Sequence, residues 1–172
     1  MPGVSAMQDT LYQQAAVEYA AALERLARSY EADPEARRDL LQDIHVALWR
    51  SFASFSGLCS MRTWVYRVAH NTAVSHVVRE RRRRGQIMVG LEEIEETAAP
   101  NSDSTPDRAQ RLDQLLAMVR MLKPLDRQVI LAYLEDMEAG EIAEITGLSA
   151  ANVATKIHRI KNILARRFQA EQ

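Results

Sequence analysis

Cysteine is nearly absent. Cys59 is the one thiol in 172 residues, which excludes a disulfide framework and suits a reducing compartment. Glycine and proline are scarce too, at six and five. The stretches between them are rich in Ala, Leu, Arg, Glu and Gln, which are good helix formers. No alternating strand pattern is present, so the expected fold class is all-α. No apolar run approaches the roughly 18 residues of a membrane helix, and Met1–Thr10 lacks the basic and apolar regions of a signal peptide. A cytoplasmic chain without membrane insertion is expected. Hydrophobic residues at 47% and charged residues at 26% exclude disorder over the whole length.

What is present is a concentrated charge pattern under a net charge of −1. Met1 to Met61 holds five basic and eight acidic residues. Arg62 to Arg84 holds seven basic and one acidic, Gly85 to Asp107 six acidic and no basic, and Arg108 to Gln172 ten basic and eight acidic. A nearly neutral chain with one basic stripe points to a polyanion at that stripe and other partners elsewhere. Periodicity predicts helices over about 8–30, 35–52, 61–83, 108–122, 126–136, 139–146 and 150–168. The expected architecture is two small helical domains, 1–85 and 108–172. They are joined by a flexible acidic linker, 86–107, containing GLEEIEETAAPNSDSTPD. Its Ile87, Met88, Val89, Leu91 and Ile94 are unusual for a purely solvated tether.

The second domain carries a helix-turn-helix pattern over Glu141–Val153. A short helix should end at Gly147, where glycine takes the left-handed conformation cheaply, and Ser149 should cap the next helix. On that helix Val153, Ile157, Ile160 and Leu164 form one buried stripe. The other side presents Ala151, Asn152, Thr155, His158, Arg159 and Asn162. Five basic residues and no acidic one lie between Ala150 and Phe168. Such a helix can enter the major groove, with Asn152 and Arg159 reading base edges or holding phosphates. A plain helical hairpin with a solvated basic face is the competing reading.

On a helical wheel the first domain's basic helix places Met61, Trp64, Val65, Val68, Ala69 and Thr72 on a core side. The opposite side gathers Thr63, Tyr66, Arg67, His70, Ala73, Val74, Val77 and Arg81. Mixed aromatic and basic residues suit single-stranded nucleic acid, where bases stack on rings and phosphates meet arginine. A second buried face is the alternative, above all for Val74 and Val77. In the preceding helix Leu40, Leu41, Ile44, Leu48 and Phe52 form a core side. Asp39, Gln42, Asp43, Val46 and Trp49 lie opposite. A tryptophan and a valine on an acidic face point to a protein-docking surface, or to a tryptophan half-covered by the N-terminal helix.

The run Arg38–Trp49, then Phe55, then Ser60–Asn71 and the arginines that follow resemble region 2 of bacterial RNA polymerase sigma factors of the extracytoplasmic-function (ECF) group. The helix-turn-helix resembles their region 4. The resemblance covers about Leu11–Arg84 and Arg111–Phe168 in the expected order. It implies a promoter-specificity subunit that binds core polymerase through Asp39, Gln42, Asp43, Val46 and Trp49 on the clamp helices of the largest subunit. It implies that the Phe55–Ser60 loop and the following helix open the −10 element, with a flipped base held by the loop. The −10 contacts would be Phe55, Arg62, Thr63, Tyr66, Arg67, His70, Asn71 and Arg81. Region 4 would sit on the beta-subunit flap and read the −35 element through Ser149, Ala151, Asn152, Thr155, Lys156, His158 and Arg159, with Lys156 and Lys161 as flanking phosphate contacts. An anti-sigma factor or other regulator is a further partner of such proteins.

No cofactor, catalytic residue or metal site is expected. His45, His70, His76 and His158 make no metal-ligand spacing with Cys59, which reads as an incidental small apolar residue rather than a redox switch. Paired carboxylates and a glycine-rich phosphate loop are missing, which argues against an Arg- and His-dependent nuclease. A dimeric helix-turn-helix regulator of duplex DNA is the alternative function. It leaves the mixed aromatic face and Trp49 without a use.

Overall fold

In the computed structural model, residues 2–85 and 107–170 are described. The chain divides into two compact units between Gly85 and Gln86. Among the described residues the elements are α-helices and one short 3-10 turn, with no strand. The acidic stretch expected as a linker lies, apart from Asp107, outside the described residues.

The first unit holds α1 (Pro2–Glu18), α2 (Ala20–Tyr30), α3 (Pro34–Ser51), a 3-10 turn (Phe52–Ser54) and α4 (Met61–Arg84). The single helix expected over 8–30 is broken at Tyr19, whose backbone leaves helical values at φ −106°, ψ 10°. No glycine or proline marks this break, so the pattern could not reveal it. The Tyr19 ring lies edge-on to Tyr66 at 6.4 Å, and burial with Glu18 beside it pushes the Tyr19 phenol up to about 12. The bend lets α1 lie on α3 while α2 packs against both α3 and α4.

Helix α3 starts one residue earlier than expected because Asp33 caps it. The carboxylate accepts from the amides of Glu35 at 3.0 Å and Ala36 at 2.8 Å, and Pro34 fits the first helical position. Leu40, Ile44, Leu48 and Phe52 are buried as expected, and Leu41 is half-buried. Helix α4 begins at Ser60, whose Oγ accepts from the Thr63 amide at 3.0 Å. It ends at Gly85, left-handed at φ 67°.

The wheel for α4 needs correction. Val65 and Ala69 are buried as expected, but so are Thr63, Tyr66, His70, Ala73 and Val77 from the supposed nucleic-acid face. The cause is α2. The Tyr30 hydroxyl is hydrogen-bonded to His70 Nδ1 at 3.0 Å, and Glu31 lies 3.5 Å from His76 Nε2. Helix α4 is therefore covered on two sides, by α2 and by α3. That explains why its apolar residues look scattered around the wheel.

The second unit holds α5 (Arg108–Met121), α6 (Pro124–Leu134), α7 (Ala139–Thr146) and α8 (Ala150–Ala170). Reciprocal bonds between Asp107 and Gln110 cap α5, and the same box between Glu138 and Glu141 caps α7. Helix α6 starts earlier than expected, at Pro124. Arg127, 1% exposed, reaches back to donate to the carbonyls of Arg120 and Leu122, the latter at 3.1 Å. A charged donor thus satisfies carbonyls at the end of α5. Val129, Ile130, Ile142, Val153 and Ile160 make the centre of the core.

Gly147 ends α7 at φ 77°, and a Cβ there would meet nothing within 4 Å. Only backbone strain opposes a side chain, so Gly147→Ala should destabilise the unit by about 1–2 kcal/mol. Gly140 sits inside α7 with the same open surroundings and no positive φ. Gly140→Ala should stabilise by about 0.4–1 kcal/mol through the unfolded chain. Denaturant melts of the two variants should move in opposite directions.

Candidate polymerase and nucleic-acid interfaces

Helix α3 turns its core stripe toward α4 and leaves Asp39, Gln42, Asp43, Val46 and Trp49 exposed. Val46 is 43% and Trp49 40% exposed, unusual values for large apolar side chains. Trp49 is partly covered by the N-terminal helix, as one of its two readings expects. Its indole Nε1 donates to Asp9 Oδ1 of α1 at 2.8 Å, and its carbonyl accepts from Gln8 Nε2 at 2.7 Å. Further along, Tyr12 is hydrogen-bonded to His45 Nδ1 at 3.1 Å. Burial beside α1 lowers the His45 pKa. Helix α1 therefore fixes one edge of Trp49 and leaves the rest of the ring facing outward.

The loop from Phe55 to Ser60 is held at both ends. Phe55 packs edge-on between Phe52 at 5.9 Å and Trp64 at 5.2 Å, and the Trp64 indole donates to Ser51 Oγ at 3.0 Å. Phe55 is half-buried in this stack. Of the remaining expected −10 residues, Thr63, Tyr66 and His70 are 2%, 4% and 0% exposed. As folded they are withdrawn from the surface: Tyr30 holds His70, Tyr19 lies against Tyr66, and Thr63 is tied to Ser60. Arg62, Arg67 and Arg81 are half-buried and Asn71 is exposed. Arg67, Asn71, Val74, Val78 and Arg81 recur at four- and three-residue steps and make a partly accessible stripe of α4, beside the exposed Ser75 and Arg79. It is rotated by roughly one residue (about 100°) from the stripe that α2 covers. At the end of α4, Arg79 pairs with Asp43 of α3 at 3.5 Å, and Arg83 and Arg84 with Glu80.

In the second unit Ser149 Oγ accepts from the Asn152 amide at 3.2 Å, the cap that the pattern predicts. Val153 and Ile160 are fully buried, Leu164 nearly so, and Ile157 half-buried. Ser149, Ala151, Asn152, Thr155, His158 and Arg159 are exposed together on the other side. His158 Nε2 lies 3.0 Å from Asn162 Nδ2.

Lys156 is different. Its ammonium bonds Asp126 of α6 at 2.6 Å, and the Asp126 side chain is 10% exposed. Lys161 is likewise engaged, donating to the Tyr133 hydroxyl at 3.1 Å over its ring. Both lysines bond to α6; Lys156 is half-buried in doing so, whereas Lys161 stays exposed. Asp126 and Arg127 escaped the sequence reading because a charged residue in an amphipathic helix is assigned to solvent by default. Among the described residues no group of three or more His, Cys, Asp or Glu is placed to hold a metal ion, and no helix is long and apolar enough to cross a membrane.

The chain joins a unit with an arginine-rich helix to a separate helix-turn-helix unit. The Sigma-70 region 2 family matches residues 16–83 and the Sigma-70 region 4 family residues 112–164. RNA polymerase sigma factor YlaC of Bacillus subtilis is 30% identical over 128 residues, 74% of either chain. RNA polymerase sigma-H factor of Pseudomonas aeruginosa is 28% identical over 145 residues, covering 81% of this chain and 72% of that one. The solved structure of CnrH, in complex with the cytosolic domain of CnrY, shares the fold with a TM-score of 0.69 at 21% identity, over 99% of this chain and 96% of that one. The chain belongs to the bacterial RNA polymerase sigma factors, in the ECF group. It binds core polymerase and directs promoter recognition and transcription initiation.

The Lys156–Asp126 pair has a testable consequence. Lys156→Ala leaves a largely buried carboxylate without its cation, and should destabilise the second unit by about 1–3 kcal/mol. Adding Asp126→Asn should recover part of the loss in a double-mutant cycle measured by chemical denaturation. The promoter preference of the single variant should stay that of the wild type.

Proposed function

We propose that the duties of this sigma factor divide among three surfaces. The exposed face of α3, with Asp39, Gln42, Asp43, Val46 and Trp49, docks on the clamp helices of the largest polymerase subunit. The Phe55–Ser60 loop with Arg62, Arg67, Asn71 and Arg81 opens the −10 element and holds its non-template strand. The side of α8 with Ser149, Ala151, Asn152, Thr155, His158 and Arg159 reads the −35 element in the major groove, while the second unit rests on the beta-subunit flap. The domains are 1–85 for polymerase and −10 binding and 108–172 for −35 binding, with 86–107 between them. The chain contributes binding and strand opening, and the chemistry of RNA synthesis stays with the core enzyme. It works in the cytoplasm, where polymerase meets the promoter.

The single observation that carries the reading is the coexistence of an exposed apolar pair, Val46 and Trp49, on an acidic helix face with two separate faces free of carboxylates. Ile44 to Arg79 is a run of 36 residues with no Asp or Glu, and Ile145 to Ala170 a run of 26. Those are the two longest such runs in the chain, and they hold the residues assigned to DNA apart from Arg81, which follows Glu80. Repulsion of a polyanion is thereby removed where contact is needed. Two structural relatives, CnrH with CnrY and RpoE of Bartonella quintana with the anti-sigma factor NepR, were solved bound to another protein. On that likeness we assign this chain a protein antagonist of the anti-sigma kind.

Gln42→Ala combined with Val46→Ala should weaken binding to core polymerase about tenfold or more while helical content stays that of the wild type. Normal binding by the double variant would remove the docking assignment. Asn152→Ala should relax preference at one −35 position at about 1–3 kcal/mol, read out by transcription from a randomised −35 library. An unchanged promoter profile for Asn152, Thr155 and Arg159 variants alike would mean that α8 does not read DNA.

A further inference from the structure

Basic charge in the first part of the chain is gathered rather than spread. Met1 to Met61 holds five basic residues, and four of them, Arg25, Arg28, Arg37 and Arg38, line one groove between α2 and α3. Of the eight acidic residues in the same stretch one, Glu24, lines it. The groove holds about 520 Å³, within the range of small-molecule sites. None of these residues belongs to the surfaces assigned above to polymerase or DNA.

Helix geometry produces the groove. Helix α2 contributes Ala21, Glu24, Arg25 and Arg28. Helix α3 contributes Pro34, Arg37, Arg38 and Leu41. Each set falls at i, i+3, i+4 and i+7, one side of a helix, and the short connection 31–33 keeps the two helices side by side. Two of the arginines have a duty in the fold. Arg28 lies in the last turn of α2, where the helix dipole favours a cation. Arg37 donates from Nε to the Glu31 carbonyl at 3.1 Å and from Nη2 to the Ala32 carbonyl at 2.7 Å. Those bonds fix its plane and use two of the five N–H donors of a guanidinium. Arg25, in the middle of α2, and Arg38, in the second turn of α3, have neither reason to be there. Four like charges in one groove repel, and an anion relieves that repulsion.

The rest of the lining decides what kind of anion. An extended polyanion laid along the groove would meet Glu24, and the exposed Asp33 and Glu35 beside the connection. A protein partner needs a large apolar anchor, but the apolar lining is Ala21, Ala27, Pro34 and the half-buried Leu41. A compact ligand reaches the guanidiniums without crossing the carboxylates. Arginine holds phosphate through paired N–H bonds. Guanidiniums arriving from two helices suit two linked phosphates better than one.

We propose that this groove binds the diphosphate group of a small soluble molecule, either free pyrophosphate or a nucleoside diphosphate, held by arginines of both helices. The inference stands apart from the polymerase and DNA assignments and survives if they fail.

The test titrates the full chain by calorimetry at low salt with pyrophosphate, ADP, orthophosphate and adenosine. Pyrophosphate and ADP should bind one to one, orthophosphate about tenfold more weakly, and adenosine not at all. Arg25→Gln with Arg38→Gln changes two exposed side chains and should weaken pyrophosphate binding about tenfold or more with helical content unchanged. Arg50→Gln with Arg79→Gln removes the same charge from exposed positions outside the groove and should leave binding as in the wild type. Glu24→Gln removes the groove's carboxylate and should tighten binding severalfold. A cluster with a purely structural role would not show that gain, and it keeps the test decisive if the arginine pair disturbs folding. ADP binding more tightly than pyrophosphate supports the site with a nucleotide as its ligand, and equal affinity supports it with the diphosphate alone. Failure of pyrophosphate to bind at about 1 mM overturns the proposal. So does equal loss in the two arginine pairs, or orthophosphate binding as tightly as pyrophosphate. Displacement of pyrophosphate by a short DNA duplex also overturns it, and would make the groove part of a polyanion surface.

Discussion

The first unit depends on the burial of α4 from two sides. Helix α3 covers one side with Leu40, Ile44 and Leu48, and α2 covers the other, pinned by the bond from Tyr30 to His70. A helix held that way has only part of its surface left to offer, and on α4 that part holds the half-buried Arg67, Val74, Val78 and Arg81 beside the exposed Asn71, Ser75 and Arg79. The same sandwich leaves the far side of α3 uncovered except where α1 ties down one edge of Trp49. The surfaces this unit has left for partners are therefore what remains once one central helix has been packed.

The second unit uses buried charge for a similar purpose. Arg127 satisfies carbonyls at the end of α5, and Asp126, its neighbour, receives Lys156 from α8. Two consecutive charged residues on α6 thus hold the helices before and after it in the chain. A buried pair adds little net stability but penalises any arrangement that separates its members. Here that penalty fixes the rotation of α8, and with it the direction in which Asn152, Thr155 and Arg159 point. The reading of DNA proposed for α8 needs such a constraint, because a turn of one residue would swing these side chains to another direction.

Electrostatics sets which surface meets which partner. Carboxylates gather on α3 and in the stretch after Gly85, and are missing from Ile44 to Arg79 and from Ile145 to Ala170. Asp43 on the acidic face of α3 pairs with Arg79 of the basic helix α4 at 3.5 Å. Both groups are more than half exposed, so the pair adds little to stability.

Much of this was legible in the residues alone. Helix class, the Ser149 and Gly147 punctuation, the buried line Val153–Ile160–Leu164 and the exposed face of α3 all follow from local chemistry. Caps act within three residues, and a helix buried on one side repeats every 3.6. The sequence therefore determined which segments become helices, which side of α3 and α8 faces water, and where charge of either sign collects. It could not determine that Tyr66 and His70 are covered by Tyr19 and Tyr30, that the helix expected from residue 8 bends at Tyr19, or that Lys156 is held by Asp126. Each of those depends on a partner 30 or more residues away or on the direction from which a neighbour arrives. A wheel distinguishes one buried side from one wet side, but it cannot identify a helix buried on both. Tertiary packing alone decided which of α4's mixed residues became core and which remained accessible.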